Sequence, residues 1–241
     1  MKVIGVYNLK GGTGKTTISV HLVSALAVAG YSTLLVGMDR QGDALRWLSG
    51  GEANISNGSV LNVRQGLVAV FSGEEYPQVL RSPEATNKMS AIVADLPPQT
   101  GVAVGVPADL WIVPVDGRLA LEDLMAVVDE LHETGGKVLV VFNRADAGGK
   151  RILGQLQRAA GKIPNVTIWP EIIPDSAPIK RAGDLLRLVG DVPFGEGSDG
   201  AKALDALSQT VIRMVGLKKV AMPPPPPPPP PSARGRVARS R

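Results

Sequence analysis

Eight consecutive residues, Lys10-Gly11-Gly12-Thr13-Gly14-Lys15-Thr16-Thr17, concentrate more chemistry than any other stretch of the chain. Glycines let successive backbone N–H groups turn inward as an anion nest, and a helix starting directly afterwards adds the positive end of its dipole. Lys15 stands where an ammonium reaches β and γ phosphates, and Thr16 where a hydroxyl ligates Mg²⁺. The plainer reading, a glycine turn that only starts a helix, is disfavoured by the strand pattern before the segment and the helical pattern after it. Asp95 ends the apolar run Ala91-Ile-Val-Ala. A carboxylate there is costly unless a cation or a water shell receives it, with strand-end capping as the bland alternative. Asp39 ends a second apolar run from Leu34, and Asp43 just beyond it reads as a helix N-cap.

These groups need a frame, and the composition says which kind. Of 241 residues, 44% are hydrophobic and 20% charged, enough to bury a full core, while aromatics make up only 4%. A core of Val, Leu, Ile and Ala suits a parallel sheet covered by helices on both faces. The patterning predicts strands at 2–7, 32–38, 59–63, 91–94, 110–114, 137–142 and 166–168. Helices are expected at 15–29, 119–132, 150–160, 178–186 and 201–215. Strand and helix in alternation imply an α/β, doubly wound, mostly parallel sheet with ligands at the carboxyl ends of its strands. The absence of cysteine excludes disulfide scaffolds, thiol catalysis, Fe–S ligation and zinc–thiolate sites. MKVIGVYNLK has no long apolar leader, and no run approaches the roughly 18 residues of a spanning helix, so a cytoplasmic protein is expected.

The formal charge of +4 is unevenly placed. Six basic residues and no acidic one lie between Lys218 and Arg241, which leaves the first 217 positions with 20 basic against 22 acidic residues, or −2. The basicity belongs to an expected disordered tail, 218–241, beyond a folded domain of residues 1–217. Nine prolines, Pro223–Pro231, form a stiff polyproline II rod of about 28 Å at its usual rise. The run reads as a spacer, with docking to a partner's aromatic groove as the alternative.

Leu9 occupies the position where the ordinary G-x-x-x-x-G-K-[ST] phosphate loop has its first glycine, and an extra lysine, Lys10, opens the motif. In this the chain resembles the ParA/MinD family of deviant Walker A ATPases, and most of all the small plasmid-partition members without an N-terminal DNA-binding domain. The resemblance implies a P-loop NTPase fold, ATP and Mg²⁺ as cofactors, and weak, partner-stimulated ATP hydrolysis. It gives Lys10 the role of the signature lysine, which reaches the partner subunit's nucleotide across a homodimer. Leu34-Leu-Val-Gly-Met-Asp39-Arg-Gln-Gly looks like the family's second strand and switch I, where Asp39 orients the attacking water, with Asp43 as competitor. Gly37 and Arg40 depart from the family's D-x-D-P-Q-G. Ala91–Pro98 resembles Walker B and switch II, so Thr16, Asp39 and Asp95 form the implied metal set. Asn143, Pro174 and Asp175 fall where relatives contact adenine.

The reading expected from this resemblance is a partition or cargo-positioning ATPase. Its ATP dimer would bind nonspecific DNA and associate with the nucleoid, and a ParB-like adaptor would stimulate hydrolysis. Lys180, Arg181, Arg187 and Arg213, together with the tail residues Arg234, Arg236, Arg239 and Arg241, are the candidate phosphate contacts. The alternative is a MinD-like ATPase of division-site placement. Polyproline followed by arginine cannot form that class's lipid-inserting helix, so no stable membrane insertion is expected. A metabolic relative with a bridging Fe–S cluster would need cysteines. A nucleotide-locked scaffold would have no use for a water-orienting carboxylate.

Overall fold

The structure, a computed structural model, describes residues 1–51, 56, 58–64, 66–73, 75–81, 88–116, 121–145, 149–160 and 162–220. The strands are β1 (Lys2–Val6), β2 (Thr33–Gly37), β3 (Val60–Arg64), β4 (Leu67–Phe71), β5 (Ala91–Asp95), β6 (Leu110–Asp116), β7 (Lys137–Ala145) and β8 (Val166–Pro174). The described α-helices are α1 (Lys15–Val28), α2 (Asp43–Leu48), α3 (Leu121–His132), α4 (Gly149–Ala160), α5 (Ala177–Leu185) and α6 (Asp199–Val215). One eight-stranded sheet runs in the order β3-β4-β2-β5-β1-β6-β7-β8, with β3 alone antiparallel to its neighbour. The expected doubly wound, mostly parallel α/β sheet is therefore present.

Residues alternate between the two faces of β1 with the period of a strand. Ile4 and Val6 join the core beneath α1, α2 and α6, while Val3 and Tyr7 join the core beneath α3 and α4. The chain order turns back beside β1, with β5 and β2 on one side and β6 on the other. Such a switch point opens a crevice at the carboxyl ends of the strands. Register fills that crevice: Val6 and Gly37 both lie level with Asp95.

The structure departs from the expected elements in three places. A strand at Leu67–Phe71 was not anticipated; it forms a hairpin with β3 and lies parallel to β2. A five-residue apolar run carries too little periodicity to declare itself. Helix α2, six residues long, was anticipated only through the cap reading of Asp43. β8 continues to Pro174 and includes Pro170, which an edge strand tolerates because that N–H side need not pair. Residues 119–120 of the helix expected at 119–132 lie outside the described residues. The chain also stays on the body past 217. The Val220 N–H donates to Ser90 Oγ at 3.0 Å, and the Lys219 ammonium sits 5.5 Å from the Tyr31 ring centroid. The proline run and the four tail arginines lie outside the described residues.

Trp111 on β6 is wholly buried and donates its indole N–H to Thr134 Oγ1 at 2.7 Å. Its ring lies against Gly5 so closely that a Cβ there would enter the ring. Gly5→Ala should therefore destabilise the fold by about 1–3 kcal/mol through overpacking, measured as a lower midpoint in urea unfolding. An unchanged midpoint would mean that the Trp111 contact is slack.

Candidate functional site

The loop between β1 and α1 is fastened from below before it turns. Asn8, 1% exposed, donates from Nδ2 to the Pro114 carbonyl of β6 at 2.8 Å and accepts the Lys10 N–H on Oδ1 at 2.9 Å. Gly11 and Gly12 face open space, and Gly12 (φ 74°) and Gly14 (φ 94°) take the left-handed conformation that glycine alone adopts freely. Gly14 is also the N-cap of α1, with no side chain capping the helix. A Cβ on Gly14 would fall on Asn143 Nδ2, which donates to the Thr13 carbonyl at 2.7 Å. Asn143, expected as a base contact, is thus first of all a brace beneath the loop. The exposed Gly11 and Gly12 lead directly into the N-terminus of a fourteen-residue helix.

Lys15, at the first position of α1, is buried and donates from Nζ to the Lys10 carbonyl at 3.1 Å. Burial lowers its pKa from the ordinary lysine value, while Asp95 and Asp39 oppose that shift. Thr16 donates its hydroxyl to Asp95 Oδ2 at 3.0 Å, and Ser19, one helical turn on, donates to Oδ1 at 2.8 Å. Asp95 is 2% exposed. Burial pushes its carboxyl up to about 6, against the pull of the Ser19 and Thr16 hydroxyls and the Lys15 charge. Both carboxylate oxygens accept hydroxyl hydrogen bonds, which fixes the orientation of the Thr16 oxygen. Asp39, half-buried two residues beyond β2, accepts the Gln41 N–H on Oδ1 at 3.0 Å. Its charge bears on both Lys15 and Asp95. Thr17 follows Thr16 on α1, and its carbonyl accepts from His21 Nδ1 at 2.7 Å.

Several expected residues stand differently. Asp43 is the first residue of α2, exposed, and the N-cap is Gly42 in the left-handed region. Its carboxylate complements the helix dipole without capping it. Lys10 pairs within its own chain, Nζ to Asp116 Oδ1 at 3.1 Å, with its side chain 39% exposed. Pro174 ends β8, and the Asp175 N–H donates to the Ala145 carbonyl at 3.1 Å. The Asp175 carboxylate pairs with Lys180 at 2.9 Å. Of the proposed phosphate contacts, Arg181 holds the Pro193 carbonyl at 3.0 Å and Arg213 bonds Thr210 at 3.1 Å, while Arg187 is exposed at the end of α5. Sequence reasoning passed over Asn8, Ser19 and Asp116. Ser19 was accessible in principle, because it lies three residues from Thr16 on one helix face. The other two act through contacts over a hundred residues apart.

The donor set fits a magnesium–nucleotide. Among the described residues no group of three or more His, Asp or Glu side chains could hold a metal ion unaided. Mg²⁺ is commonly bound by one or two protein oxygens plus phosphates and water, and Thr16 backed by Asp95 is such an arrangement. An anion nest, a buried lysine and a hydroxyl backed by a carboxylate, at the switch point of a parallel sheet, define a P-loop nucleotide-binding domain.

Comparison with known proteins narrows the class. Residues 4–188 match the CobQ/CobB/MinD/ParA nucleotide binding domain, and the chain belongs to that family. It is 32% identical over 166 residues to the maintenance of carboxysome distribution protein A of Gloeobacter kilaueensis, spanning 66% of this chain and 68% of that protein. Among solved structures, the MinD cell division protein of Aquifex aeolicus superposes with a TM-score of 0.71 at 19% identity, covering 92% of this chain and 100% of the other. A plasmid partition protein of Borrelia burgdorferi, bound to AMPPNP, gives 0.67 at 17% identity, covering 88% and 99%. Among the described residues no helix is long and apolar enough to cross a membrane.

A carboxyl held near 6 has two consequences for pH. Between about 4 and 6 the folded chain keeps a proton on Asp95 that the unfolded chain has released, so this group's contribution to stability falls as pH rises through that window and is level above it. Conversely, only the ionised carboxylate accepts the Thr16 and Ser19 hydroxyls on its two oxygens without carrying a proton of its own. Apparent Mg²⁺–nucleotide affinity should therefore weaken as pH drops below about 6. Titrating a fluorescent nucleotide across pH 5–8 tests this, with Asp95→Asn expected to flatten the profile. Superimposable profiles would remove Asp95 from the site.

Proposed function

We propose that the protein is an ATPase of the ParA kind that positions DNA or another cargo. In this reading ATP with Mg²⁺ closes a homodimer, the dimer binds nonspecific DNA and associates with the nucleoid, and an adaptor protein of ParB type stimulates hydrolysis and release. The observation that carries it is the division of labour between two lysines of one loop, Lys15 buried inside the cradle and Lys10 part-exposed on its rim. A loop that only binds nucleotide needs the first and has no use for the second. The Lys10 side chain is 39% exposed and that of Asp116 19%, so the pair is partly screened by solvent and Lys10 can exchange it for another anion. The similarity to a protein named for maintaining carboxysome distribution supports positioning as the task.

The chain's own residues account for the steps as follows. The N–H groups around Gly11, Gly12 and Gly14 and the Lys15 ammonium receive phosphate charge. Bound Mg²⁺ would neutralise charge developing on the transferred phosphoryl group. Thr16, held by Asp95, presents an oxygen to the cation. Asp39 orients the attacking water, and Lys10 reaches the partner subunit's nucleotide. Lys180, Arg181, Arg187 and Arg213, on or just after α5 and on α6, and the tail arginines are the DNA contacts.

Light scattering with ATP and Mg²⁺ tests the dimer. Lys10→Ala should bind ATP yet stay monomeric, and an intact ATP dimer in this variant would refute the trans role.

Asp39→Ala should keep ATP binding and the dimer while turnover falls by about 10²-fold or more, because the phosphate cradle is untouched and the water is not aligned. Steady-state phosphate release measures this, and unchanged turnover would transfer the role away from Asp39.

A further inference from the structure

Tyr7 stands between β1 and the phosphate loop, wholly buried, with its ring edge-on to Trp111 at 6.2 Å between centroids. Its hydroxyl lies 2.9 Å from Glu130 Oε2 on α3 and 3.0 Å from the Gln99 carbonyl. The other oxygen of the same carboxylate, Oε1, accepts the Gly101 N–H at 2.9 Å. One glutamate therefore joins the strand that enters the phosphate loop to the loop that leaves Asp95. Burial, and after it the neighbouring Glu130, raises the Tyr7 phenol well above its ordinary value, so the hydroxyl is a permanent donor.

We propose that Glu130, with Tyr7, positions the loop 98–101 for hydrolysis, setting its place relative to the phosphate cradle without touching the nucleotide. The inference rests on the ATPase reading above and deepens it.

Leu96 and Pro97 are buried, but residues 98–101 are exposed, and three features argue that these hydrogen bonds, rather than packing, hold that exposed stretch. Gly101 takes a left-handed φ of 86°, and a Cβ there would meet nothing within 4 Å. A cleft of about 500 Å³, lined by Glu75, Gln78, Gln99, Thr100 and Gly101, lies beside the loop, so it has room to leave. The Leu96 N–H ties the start of the loop to the Val6 carbonyl of β1 at 3.2 Å, whereas beyond it the Gln99 N–H bonds the Pro97 carbonyl at 2.9 Å, within the loop. The clamp's endpoints, by contrast, sit on elements fixed by the core. Glu130 belongs to a helix whose Leu124, Val127, Val128 and Leu131 are fully buried, and Tyr7 continues the central strand. Asp95, six residues before Gly101, is tied to Thr16 and Ser19 on α1. The segment between them is thus fastened at both ends, to α1 at Asp95 and to α3 at Gly101. Release at Gly101 frees the loop but leaves Lys15, Thr16 and the glycines in place, so the loss should fall on turnover and spare nucleotide binding.

The chemistry of the clamp also specifies a rescue. A glutamine at 130 keeps an acceptor for the Gly101 N–H, and its amide can donate to the phenol oxygen while the phenol proton goes to the Gln99 carbonyl. All four groups remain paired.

The test compares wild type with Glu130→Ala, Glu130→Gln and Tyr7→Phe by steady-state ATP hydrolysis, equilibrium ATP binding and hydrogen exchange at the Gly101 amide. Glu130→Ala should lower kcat roughly tenfold, the size of one lost net hydrogen bond, with ATP affinity within about twofold of wild type and faster exchange at Gly101. Tyr7→Phe, which keeps the ring against Trp111, should lower kcat by a smaller factor in the same direction. Glu130→Gln should retain wild-type kcat and exchange. Unchanged exchange at Gly101 in Glu130→Ala overturns the clamp, and so does a glutamine variant as impaired as the alanine one. A loss confined to ATP affinity or to the unfolding midpoint, with kcat intact, overturns it as well. Absence of ATP turnover in the wild type would instead sink the ATPase reading, and the exchange measurement would still decide whether Glu130 holds the loop.

Discussion

A single ionisable carboxylate, buried at 2% exposure in the middle of a parallel sheet, organises the site. Left unpaired, such a group would be among the most destabilising features of the fold. Thr16 and Ser19, one turn apart on α1, each donate a hydroxyl hydrogen bond to it, and Lys15 supplies the nearest positive charge. The same three residues therefore satisfy Asp95 and fix the first turn of α1. The loop before that turn has little freedom left. Its bends fall on glycines, and Asn8 and Asn143 brace its base against the central strands.

The remainder of the molecule holds α1 at the angle this arrangement needs. The helix is buried on most of its sides, between the sheet and α6. His21 fastens it further, accepting the Val189 N–H on Nε2 at 3.0 Å while Nδ1–H donates to the Thr17 carbonyl at 2.7 Å. Burial keeps that imidazole neutral, as two hydrogen bonds of opposite sense require. The His21 ring also meets Trp47 edge-on, and the Trp47 indole donates to the Arg187 carbonyl at 2.9 Å. A continuous set of contacts thus runs from the helix behind the phosphates, through the helix after Asp39, to the turn that carries Arg187.

The two lysines of the loop differ in environment more than in position. Lys15 is buried, near two carboxylates that bear on it. Lys10 lies at the rim, in a partly solvent-screened pair with Asp116 at the end of β6. A cation in the first setting is committed to the interior, whereas one in the second exchanges partners at small cost.

By itself the sequence determined the class of fold, the phosphate loop and the importance of Asp95. An aliphatic, cysteine-free composition, strand and helix in alternation, and Lys10-Gly-Gly-Thr-Gly-Lys-Thr-Thr17 are local features, legible wherever the chain is read. Short elements left little pattern, β4 none and α2 only a cap reading at Asp43, because five or six residues fit strand and helix alike. Asp43 was misread as a cap because capping depends on the backbone conformation of Gly42, which the residue type does not state. Tertiary structure alone decided the partners. Asn8 meets Pro114, Lys10 meets Asp116, Asn143 braces Thr13, and Tyr7 shares Glu130 with Gly101. Each joins positions 29 to 130 residues apart, and strand order and register bring such groups together, so no local pattern in the chain encodes them.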